Sequence, residues 1–142
     1  MTTKLLTLDR FNWERFLGVE LLPEQHAFVP SVLFSLAQAR FEVLYPFGLE
    51  VDDQAVGFVM YGNFGGIYWI NRLLIDHKFQ RKGYGYQALC LLIAHLRQFP
   101  DCRDIRTSYG NDNFQAQSLF AKLGFQAIGG LDDGETVAQL NC

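Results

Sequence analysis

The stretch FQRKGYGYQALCLLIAHLRQ, residues 79–98, decides how this chain is read. It sets Gln80, Arg81 and Lys82 against two glycines, Gly83 and Gly85, at the point where an apolar run begins. A helix start leaves backbone N–H groups without intrahelical partners, and the helix dipole adds partial positive charge there. Glycines let a ligand approach such a backbone with no Cβ in the way. The turn therefore has two readings: a surface turn leading into a core helix, or a cradle for a pyrophosphate. By itself it leaves both open.

The segments around it define the architecture. GIYWINRLLID (66–76) is rich in β-branched and aromatic residues and reads as a central strand, since so apolar an edge would invite aggregation. After the glycine turn a helix is predicted to about Gln98, stopped by Pro100. Upstream, KLLTL (4–8) reads as a strand. LPEQHAFVPSVLFSLAQARFE (22–42) carries Phe28, Val29, Val32, Leu33, Leu36 and Ala37 at helical spacing, with Pro30 kinking or dividing it. FGLEV and AVGFVMYG flank the turn Asp52–Asp53–Gln54 as an antiparallel hairpin would.

Downstream, DIRTSY reads as a strand and NDNFQAQSLFAKLG as a short helix with a core stripe at Ala116, Leu119, Phe120 and Leu123. Asn111, Asp112 or Asn113 would cap its start and Gly124 its end. FQAIGG and ETVAQL close the chain as a strand pair around Asp132–Asp133–Gly134. The expected fold is a mixed α/β sandwich with several hairpins, in a single domain over residues 1–142.

Composition narrows the function. The chain has 142 residues, 49% hydrophobic and 15% aromatic, which excludes a disordered protein. Its net charge of −3 argues against nonspecific nucleic-acid binding, which needs a broad basic surface. No run approaches the ~18 apolar residues of a membrane span, and the charged N-terminal segment does not read as a signal peptide. The three cysteines lack metal-ligand spacing, and Cys90 reads as a core residue within an apolar run. A reducing cytoplasmic compartment is expected.

Two nucleotide-binding patterns compare with the glycine turn. GYGYQA (83–88) formally matches G-x-G-x-x-G/A, but DHKFQRK separates strand from glycine, and Asp101 and Asp104 precede the next strand instead of ending it. The pattern G-x-x-x-x-G-K-S/T is absent.

LLIDHKFQRKGYG fits better. It resembles the coenzyme A-binding motif of the GNAT superfamily of N-acetyltransferases, Gln/Arg-x-x-Gly-x-Gly/Ala after a strand, here Gln80 to Gly85 after Leu73-Leu74-Ile75. A second element, NDNFQAQSLFAKLGF, resembles the superfamily's N-x-x-A-x-x-L-Y-x-x-x-G-F segment through Asn113, Ala116, Leu119, Gly124 and Phe125. PEQHAFVPSVLFSLAQA, VGFVMYG, INRLLID and DGETVAQL look like bacterial-type acetyltransferases of diamines, spermidine and spermine.

The resemblance implies a GNAT-like, mostly antiparallel central sheet flanked by about four helices, and direct acetyl transfer from acetyl-CoA to a small-molecule primary amine. It implies pyrophosphate binding by Gln80, Arg81, Lys82, Gly83, Tyr84 and Gly85, pantetheine binding along Leu73, Leu74 and Ile75, and further cofactor contacts from Asn113 and Phe120. It also implies a homodimer.

Two residues depart from the pattern. Phe120 stands where the superfamily commonly has the tyrosine that protonates the departing thiolate, and Val32 stands where polyamine-type relatives tend to carry asparagine. A phenyl ring donates no proton. Tyr109, at the end of the strand before the second motif, is the candidate replacement acid, with an amphipathic rim position as its plainer reading. Among the carboxylates Glu20, Glu24, Glu42, Glu50, Asp52, Asp53 and Glu135, which would suit a dication, Glu135 is the first choice. The competing function is an acyl-CoA-binding module with weak or no catalysis.

Overall fold

The computed structural model describes residues 2–25, 29–130 and 133–142. Seven strands form one sheet: β1 (Thr3–Thr7), β2 (Leu44–Val51), β3 (Gln54–Phe64), β4 (Ile67–Ile75), β5 (Asp104–Gly110), β6 (Gln126–Gly130) and β7 (Glu135–Asn141). The order is β1-β2-β3-β4-β5-β7-β6, and every pair is antiparallel except the central β4–β5. The expected mixed, mostly antiparallel sheet is present, with β4 at its centre.

Three α-helices accompany it: α1 (Val32–Phe41), α2 (Tyr84–Leu96) and α3 (Phe114–Lys122). Short 3-10 turns occur at Trp13–Gly18, Pro23–Gln25 and His77–Phe79. Pro30 divides the 22–42 segment: Ser31 caps α1 by accepting the Phe34 N–H at 3.1 Å. His26 and Phe28 lie outside the described residues. Asp52 and Asp53 both take left-handed backbone, the geometry of a two-residue hairpin turn matched to strand twist. Asn113 proves to be the cap of α3, accepting the Ala116 N–H at 3.2 Å.

The core has two faces. On one, Leu89, Leu92 and Leu96 of α2 and Phe120 of α3 pack against Ile70, Ile105 and Ala138. On the other, Val32 of α1 packs with Phe16, Phe58, Met60 and Leu74. Phe16 belongs to the 3-10 turn Trp13–Gly18, an element the sequence patterns did not reveal.

Two cysteine expectations are corrected. Cys90 is exposed, because the buried face of α2 is set by Tyr84, Ala88, Leu89, Leu92, Ile93 and Leu96 and Cys90 turns away from it. Cys102 and Cys142, expected to be reduced, form a disulfide joining the α2–β5 connection to the end of the chain. Among the described residues no helix is long and apolar enough to cross a membrane.

The feature that creates the site is a split in the sheet. β4 and β5 pair over four positions, from Ile67↔Asp104 to Ile70↔Thr107, and then part. At that point the β3–β4 register passes from Tyr61↔Ile70 to Met60↔Arg72, so Asn71 is an extra residue, a bulge. A bulge bends its strand and increases the local twist, which carries Asn71–Ile75 away from Ser108–Gly110. The paired end is clamped from outside. Tyr68 donates to Asp101 Oδ1 at 2.6 Å and Asn63 to Asp101 Oδ2 at 3.1 Å, and these bonds hold the Asp101 carboxyl below its ordinary range.

Candidate active site

Parting of the strands opens a cleft of about 490 Å³ between β4 and β5, bordered by α3, the start of β7 and α1. Because a parallel neighbour is missing beyond Ile70, one edge of β4 from Asn71 to Ile75 is not paired with β5. Such an edge suits an extended ligand that adds to the sheet like a strand.

Beyond β4 the chain enters the glycine turn through a tightly pinned corner. Asp76, 2% exposed, accepts the Lys78 N–H at 2.9 Å and the Glu20 N–H at 3.1 Å. The His77 N–H returns a bond to the Glu20 carbonyl at 2.9 Å. Gln80 then reaches back, donating to the Ile75 carbonyl at 3.0 Å and exchanging side-chain hydrogen bonds with Gln25. Its side chain braces the corner; the backbone is what remains to meet a ligand.

Arg81 and Gly83 both adopt positive φ, 64° and 82°, on either side of Lys82. A non-glycine residue in this region is uncommon and strained, and such strain clusters at ligand clamps. Gly83 caps α2, so the turn delivers N–H groups at the positive end of a thirteen-residue helix. Among the described residues, leaving out the adjoining chain, nothing lies within 4 Å of a Cβ placed on Gly83. That open space, the helix start and two exposed cations make an anion cradle. Tyr84 contributes backbone alone, since its side chain is buried with Leu49, Val56 and Ala88. A Cβ on Gly85 would lie 3.7 Å from Ile75, 3.8 Å from Leu119 and 4.0 Å from Leu73, so cradle and cleft are continuous.

Five of the residues selected from sequence line the cleft itself: Leu73, Tyr109, Asn113, Phe120 and Glu135. Leu74 points to the opposite face, into the α1 side of the core, and leaves its backbone on the β4 edge. The Tyr109 and Phe120 rings are stacked, centroids 6.1 Å apart and planes 9° from parallel, with Phe125 edge-on behind Phe120. Tyr109 is thus a half-buried wall of the cleft. Glu135, opposite Gly110 in the β5–β7 ladder, accepts from Ser108 Oγ at 3.5 Å.

The other carboxylates are not among the cleft-lining groups. Glu50 is engaged with Arg15 at 2.8 Å, Asp52 accepts the Thr2 N–H, and Glu42 accepts from Gln38. Val32, at the start of α1, is 2% exposed in the core and is not among the cleft-lining groups.

Among the cleft residues that sequence reasoning missed, three are polar and central. Arg72 is held by Ser35 at 2.9 Å, by the Asn71 carbonyl at 2.9 Å and by Gln38, and desolvation lowers its pKa. Ser108 supports Glu135. Asn71 sits at the fork, and its Oδ1 is buried with no hydrogen-bond partner among the described residues. A polar Asn-Arg pair inside an otherwise apolar strand was the available signal for the first and last.

A split β4–β5 pair with an anion cradle at its open end has the shape an acyl-CoA-dependent transferase requires. The chain belongs to the acetyltransferase (GNAT) family, whose model matches residues 6–125. It is 34% identical over 147 residues to the spermine/spermidine N(1)-acetyltransferase of Bacillus subtilis (strain 168), covering 96% of this chain and 97% of that one. Among solved structures it resembles the PaiA N-acetyltransferase of Thermoplasma acidophilum in complex with coenzyme A, with TM-score 0.77, 14% identity and full coverage of both chains. It also resembles the ribosomal-protein-S18-alanine N-acetyltransferase of Escherichia coli, with TM-score 0.77, 19% identity and coverage of 99% and 94%. The protein is an amine N-acetyltransferase with acetyl-CoA as its acetyl donor.

Proposed function

We propose that the acceptor is a diamine or polyamine of the spermidine type. What carries this reading is the 34% identity to a spermine/spermidine acetyltransferase over nearly the whole of both chains. The position of Glu135 agrees with it: a carboxylate on the cleft wall would hold an ammonium of the acceptor while another nitrogen reacts.

Acetyl-CoA supplies an activated thioester. In this reading the backbone from Gln80 to Gly85 holds its pyrophosphate, with Arg81 and Lys82 adding charge. The free edge Leu73–Ile75 aligns the pantetheine arm, and its N–H groups polarise the thioester carbonyl. Asn113, whose oxygen is committed to capping α3, contacts that arm through its amide nitrogen, and Phe120 packs beside it. Aliphatic ammonium groups titrate near ~10, so the attacking nitrogen must lose a proton in the cleft. Tyr109, stacked on Phe120, returns a proton to the departing sulfur in place of the missing tyrosine. The acting unit is the whole domain, residues 1–142, as a homodimer in the cytoplasm.

A thiol-release assay with acetyl-CoA and a panel of spermidine, spermine, putrescine, amino acids and peptides tests the reading. Release that depends on a polyamine, and is much weaker with monoamines and peptides, is expected. A preference for an amino acid or peptide would sink the polyamine assignment. Absence of amine-dependent release altogether would favour the acyl-CoA-binding module suggested by Phe120.

A further inference from the structure

Within the amine-acetylating reading, on which this inference rests, we infer that Asn71 orients the reacting nitrogen of the acceptor. Three independent observations meet at this residue. It is the bulge of β4, skipped between the pairs Tyr61↔Ile70 and Met60↔Arg72. It is the first residue beyond the last β4–β5 pair, Ile70↔Thr107, and so stands at the apex where the cleft begins. Finally, it lines the cleft while its Oδ1 is buried without a donor among the described residues.

Two other buried polar atoms lack partners among the described residues, Asp104 Oδ1 and Arg106 Nε. They belong to residues already bridged to each other at 3.2 Å, and neither residue lines the cleft. Asn71 is different. Its Oδ1 has no such partner, and a buried acceptor left unpaired is destabilising unless something else compensates. The neighbouring Arg72 does not serve it, because its guanidinium is turned to Ser35, Gln38 and the Asn71 backbone carbonyl. The terminal torsion of an asparagine is broad and soft, so rotation about it brings the oxygen round to the cleft when a donor arrives.

An amine N–H is such a donor. For attack on a carbonyl the nitrogen must be neutral, with its lone pair forward and its N–H bonds held behind. A carboxamide oxygen holds an N–H without a full negative charge, so it does not favour the ammonium form as a carboxylate would. The cleft therefore separates two tasks. Glu135 meets charge, and Asn71 meets the nitrogen that must be uncharged. This makes Asn71 a positioning residue for an acceptor nitrogen that keeps an N–H when neutral.

The test uses the full chain, acetyl-CoA and spermidine. Asn71→Ala should lower kcat/KM for spermidine roughly tenfold, the worth of one hydrogen bond. Acetyl-CoA affinity by calorimetry should be unchanged, and the unfolding midpoint unchanged or raised, because an unpaired buried oxygen has been removed. A merely structural Asn71 would instead lose stability and acetyl-CoA affinity together, and that result overturns the inference. Asn71→Asp, which keeps the shape, provides the second arm. Its carboxylate should favour the bound ammonium and move the acidic limb of the kcat profile, which reports the ternary complex, to higher pH. An unmoved limb, or Asn71→Ala with undiminished kcat/KM, also overturns it. Failure of the polyamine reading is distinguishable, since it shows as wild-type protein silent toward spermidine.

Discussion

One side of the cleft presents backbone and the other presents side chains. The β4 edge and the glycine turn lie within residues 71–85 and offer chiefly backbone groups. The facing wall takes Tyr109 from β5, Phe120 from α3 and Glu135 from β7, three segments brought together by the fold. The contrast teaches a division of labour. A donor molecule common to a family needs an invariant geometry, which backbone supplies whatever the side chains. Acceptor choice and proton transfer rest on individual groups that can be exchanged, as Phe120 illustrates.

The sharpest way to break this division is at Tyr109. Tyr109→Phe keeps the ring stacked on Phe120 and removes the hydroxyl. If the facing wall performs proton transfer, kcat falls ~10²–10⁴-fold, the usual worth of a general acid, while acetyl-CoA binding is unchanged. Adding Phe120→Tyr in that background should restore part of the loss. Single-turnover kinetics with both variants decides it; undiminished kcat in Tyr109→Phe leaves the departing sulfur to be protonated by water.

How far each wall could be read in advance follows from the same difference. The cradle was legible because its determinants are consecutive: Gln80, the two cations and the two glycines report a turn, and a turn is local. The strand at 66–76 was legible because β-branched and aromatic residues fill it. The bulge at Asn71 was not, since it depends on register against β3 and that information lies in Met60 and Tyr61. Nor could seven scattered carboxylates be sorted by pattern; Glu50 is taken by Arg15 only because the 3-10 turn Trp13–Gly18 packs under β2 and β3. Cys90 shows a further limit, because an apolar run wider than one helix face must place some members outside.

The backbone wall is tested next, at Gly83. Its φ of 82° suits glycine, and a side chain there would meet open space instead of protein. Asparagine tolerates left-handed backbone, whereas a β-branched residue is strained in it by about 1–2 kcal/mol. Gly83→Asn should therefore keep the unfolding midpoint close to wild type yet raise the acetyl-CoA Kd at least about tenfold, because the added atoms occupy the ligand's approach. Gly83→Val should lose affinity similarly and stability as well. Calorimetry and thermal unfolding of the pair separate strain from obstruction, and wild-type affinity in Gly83→Asn would remove the pyrophosphate assignment.

Gly85 should show the smallest effect, and for a reason that sharpens the same contrast. It lies in the first turn of α2 without a positive φ, and an added Cβ would sit in ordinary contact with Ile75, Leu119 and Leu73 at 3.7–4.0 Å. Alanine is the better helix former by up to about 1 kcal/mol, so Gly85→Ala should leave the unfolding midpoint unchanged or raise it. Its Cβ points toward the junction of cradle and cleft, where Leu73 and Leu119 form the wall. Because the N–H groups of the turn stay where they were, acetyl-CoA affinity should change by no more than about twofold, well under 1.4 kcal/mol. A tenfold loss in Gly85→Ala would mean that the donor passes between Gly85 and Leu119, and the cradle would then extend into the cleft by a path that side chains, and not backbone alone, control.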